Sequence, residues 1–447
     1  MKLEQEITFR STFKLALPMV LSGFAVGLIN FMDTVFLGHL SEVALNISNI
    51  GGLIYFICFM VSHGLGMGLQ IVVSRSAGEN NHEEVVKGFQ TGLSIALITG
   101  SIVTLIAYVL IPALLPIAID DSGTAEGTIS YLDWRLWSIL PAFLSGAFRA
   151  FLTSTGLNRA VAWAAFMMAF INILLNYLLI FGNQGFPGMG VSGAGLASGI
   201  AEFSGFVFLL VYILKSVKKE FPEILSTLRM NASIRRKISQ ISVPLILQFI
   251  VSNLIWLVFF ALITNLGQRE GAISNLMKTL FMFYMIPVWG FVQAVNSITS
   301  NIIGQGRSND VYKYALRSGM QIAAGMSIVA LFHFLFTEQI LWLFTDNVDL
   351  QQEAFPIVRM LSLFIIVASF FSLLFNAYTG TGNTKIAVWF ELTGAFLYLI
   401  FVVYFIKVQW VSLAFVWSSE ILYWFVLGGL SWYGLRKGLW KKSLLSK

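Results

Sequence analysis

A single carboxylate, Asp33, lies inside an apolar stretch that is long enough to cross a lipid bilayer. An Asp at the centre of a membrane helix costs roughly 2.5–3.5 kcal/mol, so such residues usually face a cavity or a partner. Pro18 precedes it by fifteen residues in the same stretch. Because proline removes a backbone hydrogen bond, it makes that helix bendable. The pair suggests a site where charge is coupled to helix shape; the alternative is that Asp33 lies near the outer membrane surface and is solvated.

Three more polar residues are predicted at the depth of Asp33. Asn172 and Asn176 are spaced i, i+4 and share one face of the fifth predicted helix, and Ser198 follows early in the sixth. At 1.5 Å per residue, all four groups fall roughly 6–14 Å below the outer surface. One carboxylate with amide and hydroxyl oxygens suits Na⁺, with Asp33, Asn172 and Asn176 as metal ligands. The same group can equally hold a proton, and the alternative is that the amides and the hydroxyl only join helices by hydrogen bonds.

Other polar residues inside predicted membrane helices are candidates for lining a substrate cavity. Glu202 and Glu420 fall at nearly equivalent places in the sixth and twelfth helices, where each can line a cavity or pair with a basic residue. Lys278 can contact a substrate or extend its amine to the outer surface. The full set of cavity candidates is Glu202, Gln248, Lys278, Gln293, Asn296, Glu391 and Glu420.

These residues must be positioned by membrane helices. The chain has 447 residues, of which 57% are hydrophobic and only 11% charged, and its mean hydropathy is +0.80. Soluble domains contain about 25% charged residues. The net charge of +6 is spread over short loops, so no nucleic-acid partner is expected. Cys58 is the one cysteine and cannot form an intrachain disulfide.

Apolar runs of about twenty residues predict twelve transmembrane helices. An all-α membrane protein follows, because open strands leave backbone groups unsatisfied in lipid. The predicted helices cover residues 11–37, 46–73, 89–111, 128–154, 159–181, 193–214, 238–263, 271–302, 315–337, 354–379, 385–406 and 410–435.

The loops predict how the chain is oriented. Most of the 28 basic residues fall in one set of loops, whereas the opposite loops contain only Arg269 and Lys407 together with several acids. Since basic loops stay in the cytoplasm, we expect a multi-pass protein of the cell inner membrane with both termini cytoplasmic.

The two halves of the chain resemble each other at a constant offset of 226 residues. We therefore expect two pseudo-symmetric six-helix lobes, 1–214 and 238–447, joined by a charged cytoplasmic linker at 215–237. Lobes repeated with the same topology are related by an axis along the membrane normal, as in some transporters, and can rock about a central cavity. The matched pairs include Pro18 with Pro244, Gly64 with Gly290, Gly78 with Gly304, Lys87 with Lys313, and Gly156 with Gly382.

The repeat does not extend to the predicted ion site. Phe259 stands in the second half where the first half has Asp33, and Tyr398 and Val402 correspond to the two asparagines. The ion site is therefore expected in the first lobe only.

In these features the chain resembles the multidrug and toxic compound extrusion (MATE) family of transporters, in its bacterial branches. The resemblance covers essentially the whole chain, and it implies an antiporter that exports cationic or amphipathic organic compounds in exchange for Na⁺ or H⁺. We expect the protein to be a monomer. The resemblance also implies that Asp33, Asn172, Asn176 and Ser198 form the cation site, and that the first helix bends at Pro18. It rests on the twelve spans in two halves, Pro18 and Asp33, Gly64-x-Gly66-x-Gly68-x-Gln70, Asn172-x-x-x-Asn176, and Gly190-x-x-Gly193-Ala194-x-x-Ala197-Ser198.

One departure concerns the seventh helix. Some members carry acids shortly after its proline, whereas Pro244 is followed here by Gln248 and no acid. The main alternative function is a flippase for lipid-linked glycans of the same superfamily, which requires a strongly basic cavity. A channel is disfavoured because no filter-like loop is visible. No catalytic residues, nucleotide loop or cofactor motif are found, so neither an enzyme nor a bound cofactor is expected.

Overall fold

The computed structural model describes residues 3–5, 7–226, 230–407 and 411–442, with the side chain of Lys442 excepted. Residues 227–229 of the predicted linker and Trp410 at the start of the twelfth predicted helix lie outside these ranges. Within them the chain is helical without a β-strand, and twelve segments are long and apolar enough to cross a membrane. The protein is an all-α, multi-pass membrane protein, as the sequence predicts.

The helices begin and end within several residues of the predicted bounds. The fourth span is formed by α4 and α5 and the twelfth by α14 and α15, whereas α11 is too short to cross a membrane. The helices are α1 Phe9–Leu40, α2 Glu42–Gly78, α3 His82–Ala118, α4 Ser122–Asp133, α5 Ile139–Ser154, α6 Asn158–Phe181, α7 Val191–Tyr212, α8 Ala232–Thr264, α9 Gln268–Gly304, α10 Asp310–Leu335, α11 Thr337–Trp342, α12 Val348–Gly380, α13 Thr384–Lys407, α14 Leu413–Trp417 and α15 Ser419–Lys437.

The fourth span is interrupted, which the sequence pattern did not predict. α4 ends at Asp133, a short 3₁₀ turn covers Leu136–Ser138, and α5 begins at Ile139. Pro141 in the first turn of α5 has no N–H to donate to the carbonyl of the preceding turn, so a continuous helix loses a hydrogen bond here. The break turns the side chain of Arg135 toward the interior, where it donates to the hydroxyl of Tyr131 at 2.9 Å.

Local sequence signals explain the ends of several helices. Ser41 begins α2, and its hydroxyl accepts a hydrogen bond from the N–H of Ala44 at 3.0 Å, as expected of an N-cap residue. Gly156 follows α5 with φ +79°, and its repeat partner Gly382 follows α12 with φ +86°. Both sit in the left-handed region that residues with a β-carbon rarely adopt, which is the physical reason why the turn keeps glycine in both halves.

The chain forms two compact units, and each takes a helical segment from both halves of the sequence. Unit 1 comprises Met1–Glu4 and Leu21–Ile246, and unit 2 comprises Gln5–Val20 and Leu247–Lys447. The change from one unit to the other occurs inside α1 and inside α8, in each case two residues after the helix proline. The two change points, after residues 20 and 246, are themselves one repeat length apart.

Glycines let these segments pack closely. In unit 1, a β-carbon at Gly64 of α2 would lie 2.5 Å from the side chain of Ile246 at the end of the first segment of α8. In unit 2, a β-carbon at Gly290 of α9 would lie 2.5 Å from the side chain of Val20 on α1. Val20 and Ile246 are repeat partners, as are Gly64 and Gly290. The same close contact between a glycine and an aliphatic residue therefore occurs once in each unit. Only a residue without a side chain permits this approach in either unit.

Candidate functional site

The predicted ion site is assembled in unit 1 from three helices. Asp33 lies seven residues before the end of α1, Asn172 and Asn176 lie on the last turns of α6, and Ser198 lies seven residues after the start of α7. At 1.5 Å per residue, the four groups are roughly 8–14 Å from these helix ends. The asparagines are fully buried, Ser198 is 6% exposed, and Asp33 is half-buried.

A continuous chain of hydrogen bonds joins the four side chains. The amide nitrogen of Asn176 donates to Oδ1 of Asp33 at 2.5 Å and to Oδ1 of Asn172 at 3.2 Å. The amide of Asn172 donates in turn to Oγ of Ser198 at 3.2 Å. Oδ1 of Asn176 is buried and has no hydrogen-bond partner among the described residues. A buried carbonyl oxygen of this kind costs free energy unless a proton or a cation contacts it.

Small residues bring the three helices close enough for this chain. Ala25 of α1 packs against Ala165 and Ala169 of α6, two turns below the polar groups. Between α6 and α7, a β-carbon at Gly193 would lie 2.7 Å from the carbonyl oxygen of Leu179. Short side chains at helix contacts allow close backbone approach in membranes. Asp33 therefore reaches the amides of α6 because the helix surfaces two turns away consist of small side chains.

A second polar group in unit 1 surrounds the break in the fourth span. The guanidinium of Arg135 lies 4.3 Å from the ring centroid of Tyr55, and it donates to the hydroxyl of Tyr131. The hydroxyl of Tyr55 donates to Oε2 of Glu202 at 2.6 Å and lies 3.1 Å from Oγ of Ser138. A cation over an aromatic face is stabilised by the ring quadrupole. Glu202 is thus held by a tyrosine whose ring also contacts an arginine.

Arg135 is the functional candidate that sequence reasoning missed. It falls seven residues inside the predicted helix 128–154, and an arginine inside a membrane helix is itself a signal of a functional site. That signal was overlooked, and the assumption of a continuous helix concealed the partners of Arg135 in and around the segment DWRLW. The interruption brings Arg135, Tyr131 and Ser138 together, and only the fold reveals that.

The other cavity candidates lie in unit 2, where they do not form one group. Asn296 is buried and donates to Oγ1 of Thr379 at 3.0 Å, which joins α9 to α12. The amine of Lys278 lies 5.0 Å from the ring centroid of Phe260. Gln293 is half-buried on α9, and Gln248 is buried on α8, its Oε1 having no partner among the described residues.

Glu391 and Glu420 are both buried in unit 2, at 1% and 3% exposure. Oε1 of Glu391 accepts hydrogen bonds from Ser252 at 2.5 Å and from Tyr423 at 2.6 Å. Oε1 of Glu420 accepts one from Tyr398 at 3.1 Å. Neither glutamate forms an ion pair with a described residue.

Unit 2 has aromatic rings at the positions that correspond to the predicted ion site. Phe259, the repeat partner of Asp33, is 1% exposed, and its ring centroid lies 5.6 Å from that of Tyr398 and 5.0 Å from that of Trp417. Rings at such distances pack favourably beyond their buried area. The asymmetry between the halves is therefore a substitution of polar groups by packed aromatic ones.

The donor set of unit 1 limits which ions it can hold. Among the described residues, no group of three or more His, Cys, Asp or Glu side chains is placed to bind a metal. Asp33, Asn172, Asn176 and Ser198 offer one carboxylate with neutral oxygens, and this set fits a monovalent hard cation. Thiolate and imidazole ligands, which transition metals favour, are not part of this set.

Comparison with known proteins identifies relatives along most of the chain. The model of the MatE family matches residues 18–178 and again 244–405, two stretches that begin 226 residues apart. A protein of Thermotoga maritima named "probable multidrug resistance protein NorM" is 25% identical over 377 residues, which cover 84% of this chain and 80% of that protein. A protein of Synechococcus with the same name is 23% identical over 380 residues, covering 83% and 82%.

Two solved structures show the same fold. One is a multidrug resistance MATE family transporter of the MOP superfamily in an outward-facing conformation, with a TM-score of 0.88 at 18% identity. The other is a MOP superfamily transporter from Pyrococcus furiosus, with the same TM-score and identity. Each comparison covers 97% of this chain and 96% of the other. At this level of identity the agreement concerns the fold.

Proposed function

The chain belongs to the MatE family of membrane transporters, and we propose that it exports organic, cationic or amphipathic compounds in exchange for inward Na⁺ or H⁺ by alternating access. As a member of a transporter family it is not an enzyme. The observation that carries the proposal is the hydrogen-bonded chain from Asp33 through Asn176 and Asn172 to Ser198. Here a carboxylate meets neutral oxygen ligands from two other helices, α6 and α7.

The unpartnered oxygen of Asn176 supports an exchangeable ion at this site. Rotating the Asn176 amide by half a turn would put its Oδ1 where its nitrogen now contacts both Asp33 and Asn172. Three oxygens would then converge on one point, which suits Na⁺. The same rotation would let a protonated Asp33 donate to that oxygen. In this proposal the Asn176 nitrogen faces Asp33 when the carboxylate is ionised and empty, and the Asn176 oxygen faces it when Na⁺ or a proton is bound.

Ion binding at Asp33 is proposed to act through α1. Pro18 interrupts the hydrogen bonding of this helix fifteen residues before Asp33, and helices bend most readily at proline. Further elements of the proposal are that the chain works as a monomer surrounded by membrane lipid in the cell inner membrane, and that both termini are cytoplasmic. The distribution of basic loop residues supports that orientation.

The experiment is efflux of a fluorescent organic cation from proteoliposomes, with Na⁺ and proton gradients imposed separately. Wild type and Asp33→Asn are compared with Asp349→Asn, which changes an acid in the first turn of α12. One gradient should drive efflux in wild type and in the Asp349→Asn control, and Asp33→Asn should abolish that efflux. Gradient-driven efflux that survives in Asp33→Asn would show that coupling occurs elsewhere.

A flippase for lipid-linked glycans is the second candidate, and two arginines favour it. Arg135 and Arg149 are only partly exposed within the fourth span, and Arg149 lies 5.9 Å from the ring centroid of Phe59. Buried guanidinium groups suit pyrophosphate better than organic cations. If wild type moves no organic cation under either gradient but translocates a lipid-linked sugar, the flippase replaces the antiporter.

A further inference from the structure

The second unit contains a buried carboxylate with hydroxyl donors and no cation beside it. We propose that Glu391 is a proton-binding residue, at a site formed with Ser252 and Tyr423 in unit 2. The site lies on α13, α8 and α15, and none of its residues belongs to the ion site at Asp33. The proton site itself is independent of the proposed export, whereas its use in coupling rests on that proposal.

The hydrogen bonds at Glu391 match a neutral carboxyl group. The hydroxyl of Tyr423 donates to Oε1 at 2.6 Å. The oxygen of Ser252 lies 2.5 Å from Oε1 and 3.0 Å from the backbone carbonyl oxygen of Gln248, and its one hydrogen is donated to the nearer acceptor, Oε1. A carbonyl oxygen has two lone pairs and accepts two such bonds, so Oε1 corresponds to the carbonyl oxygen of an acid. No hydrogen bond from a described residue reaches Oε2, which is thus available to carry the proton. When Glu391 binds or releases a proton, the O–H bond of its carboxyl group is the one covalent bond that forms or breaks.

The charges around the site leave an ionised Glu391 uncompensated. On α15, Tyr423 donates to Glu391, and the ring centroid of Tyr423 lies 6.0 Å from that of Tyr398 on α13. Tyr398 donates in turn to Glu420, the other buried acid of this region. α8 contributes the neutral Ser252, and α12 contributes Tyr378 against the neighbouring Phe390. No lysine, arginine or histidine of the described chain pairs with it. A buried anion without a counter-ion is strongly disfavoured, so a proton must accompany the carboxylate.

A sodium ion fits this site less well than a proton. Na⁺ needs several oxygen lone pairs directed at one point. Here the hydroxyls of Ser252 and Tyr423 direct their hydrogens at the carboxylate, and together with it they supply only a few oxygens. The ligand class that the geometry accepts is therefore a proton.

The position of Glu391 explains how the two halves differ. Ser252 lies seven residues before Phe259 on α8, and Glu391 lies seven residues before Tyr398 on α13. Seven residues are two helical turns, or about 10 Å. Glu391 and Ser252 thus lie two helical turns from the aromatic residues Tyr398 and Phe259, on the same two helices, α13 and α8. In the first half, the positions that correspond to Ser252 and Glu391 are the apolar Val26 and Ala165.

Infrared difference spectroscopy of the purified full-length chain between low and high pH tests the site. The spectra are recorded in an Asp33→Asn background, so that only other carboxyls contribute a band from a buried acid. We expect such a band without Na⁺, its loss in Glu391→Gln, and its retention in the matched control Glu338→Gln, which alters an exposed glutamate of α11. In Tyr423→Phe the band should move to higher frequency, because one hydrogen bond to the carbonyl oxygen is removed.

Three outcomes would overturn the proposal. They are a band that persists unshifted in both site variants, a band that disappears in Glu420→Gln instead of Glu391→Gln, and a band that Na⁺ removes at constant pH. Tyr423→Phe retains the carboxyl and remains informative if Glu391→Gln does not fold. The measurement requires neither substrate nor gradient, so its failure is distinguishable from a failure of the proposed transport.

Discussion

Replacing Asn176 by leucine should reveal which ion binds at Asp33. The substitution keeps a buried side chain of similar size but removes the 2.5 Å hydrogen bond to the Asp33 carboxylate and the unpartnered oxygen. A hydrogen bond to a charged group contributes about 1.5–3 kcal/mol. Since 1.4 kcal/mol corresponds to a factor of ten in affinity, the ion affinity should change by about ten- to hundredfold.

The direction of the change depends on the ion. If Na⁺ binds, Asn176→Leu removes a ligand, and the Na⁺ concentration that gives half-maximal efflux rises. If a proton binds, the substitution destabilises the bare carboxylate, and the proton concentration for half-maximal efflux falls. Efflux from proteoliposomes over a series of Na⁺ concentrations and of pH values measures both quantities.

Asn253→Leu is the matched control for this prediction. Asn253 is exposed on α8, and its amide donates to a carbonyl of its own helix, that of Phe249, at 2.8 Å. This variant should keep the wild-type half-saturation values. The reasoning is refuted if Asn176→Leu still transports and its half-saturation stays within about threefold of wild type for both ions, because a contact of 1.5 kcal/mol or more predicts a larger change.

Three further predictions concern charge, helix capping and packing. Arg135→Gln removes a positive charge that interacts with Asp33, so the coupling ion should bind more tightly and half-saturation should fall in the same efflux assay; a rise contradicts this. Hydrogen bonds from the side chain and the N–H of Thr124 hold the pKa of Asp121 below its usual range. The melting temperature should therefore be lower in Asp121→Ala at neutral pH, and the difference should vanish as the pH falls through that lowered pKa; a pH-independent difference contradicts it. Gly64→Ala should cost about 1–3 kcal/mol of stability against Ile246 in denaturant unfolding, whereas Gly52→Ala, with open space around it, should cost none.

Periodicity and composition were sufficient to predict the fold and the proximity of the four side chains at Asp33, whereas their role as an ion site stays a prediction. The twelve apolar runs, the repeat and the i, i+4 spacing of Asn172 and Asn176 are local signals, and helix geometry converts them directly into depth. The offset of 226 residues gains support from the family match, which begins at residues 18 and 244. The positions at which the lobes divide, 214 and 238, stay a prediction.

What the sequence did not predict depends on contacts between distant residues. The seven cavity candidates were chosen because they are polar residues in apolar segments. That criterion does not distinguish Asn296, which is hydrogen-bonded to Thr379, from Glu391, which is hydrogen-bonded to Ser252 and Tyr423. The partners of these residues lie dozens of positions away, so no local pattern indicates them. The same holds for Arg135, whose contacts require an interruption of the fourth span that a nearby proline favours but does not specify.

The packing of residues 5–20 in unit 2 and of 232–246 in unit 1 has a consequence for how the protein is made. The α1 segment in residues 5–20 can make its contact with Gly290 only after α9 has been synthesised, and unit 1 remains incomplete until the ribosome has passed residue 246. Domains usually fold one after the other during synthesis. Here neither half of the chain carries all of its own unit, so the two halves mature together, and fragments cut in the linker should regain structure only when they are expressed as a pair.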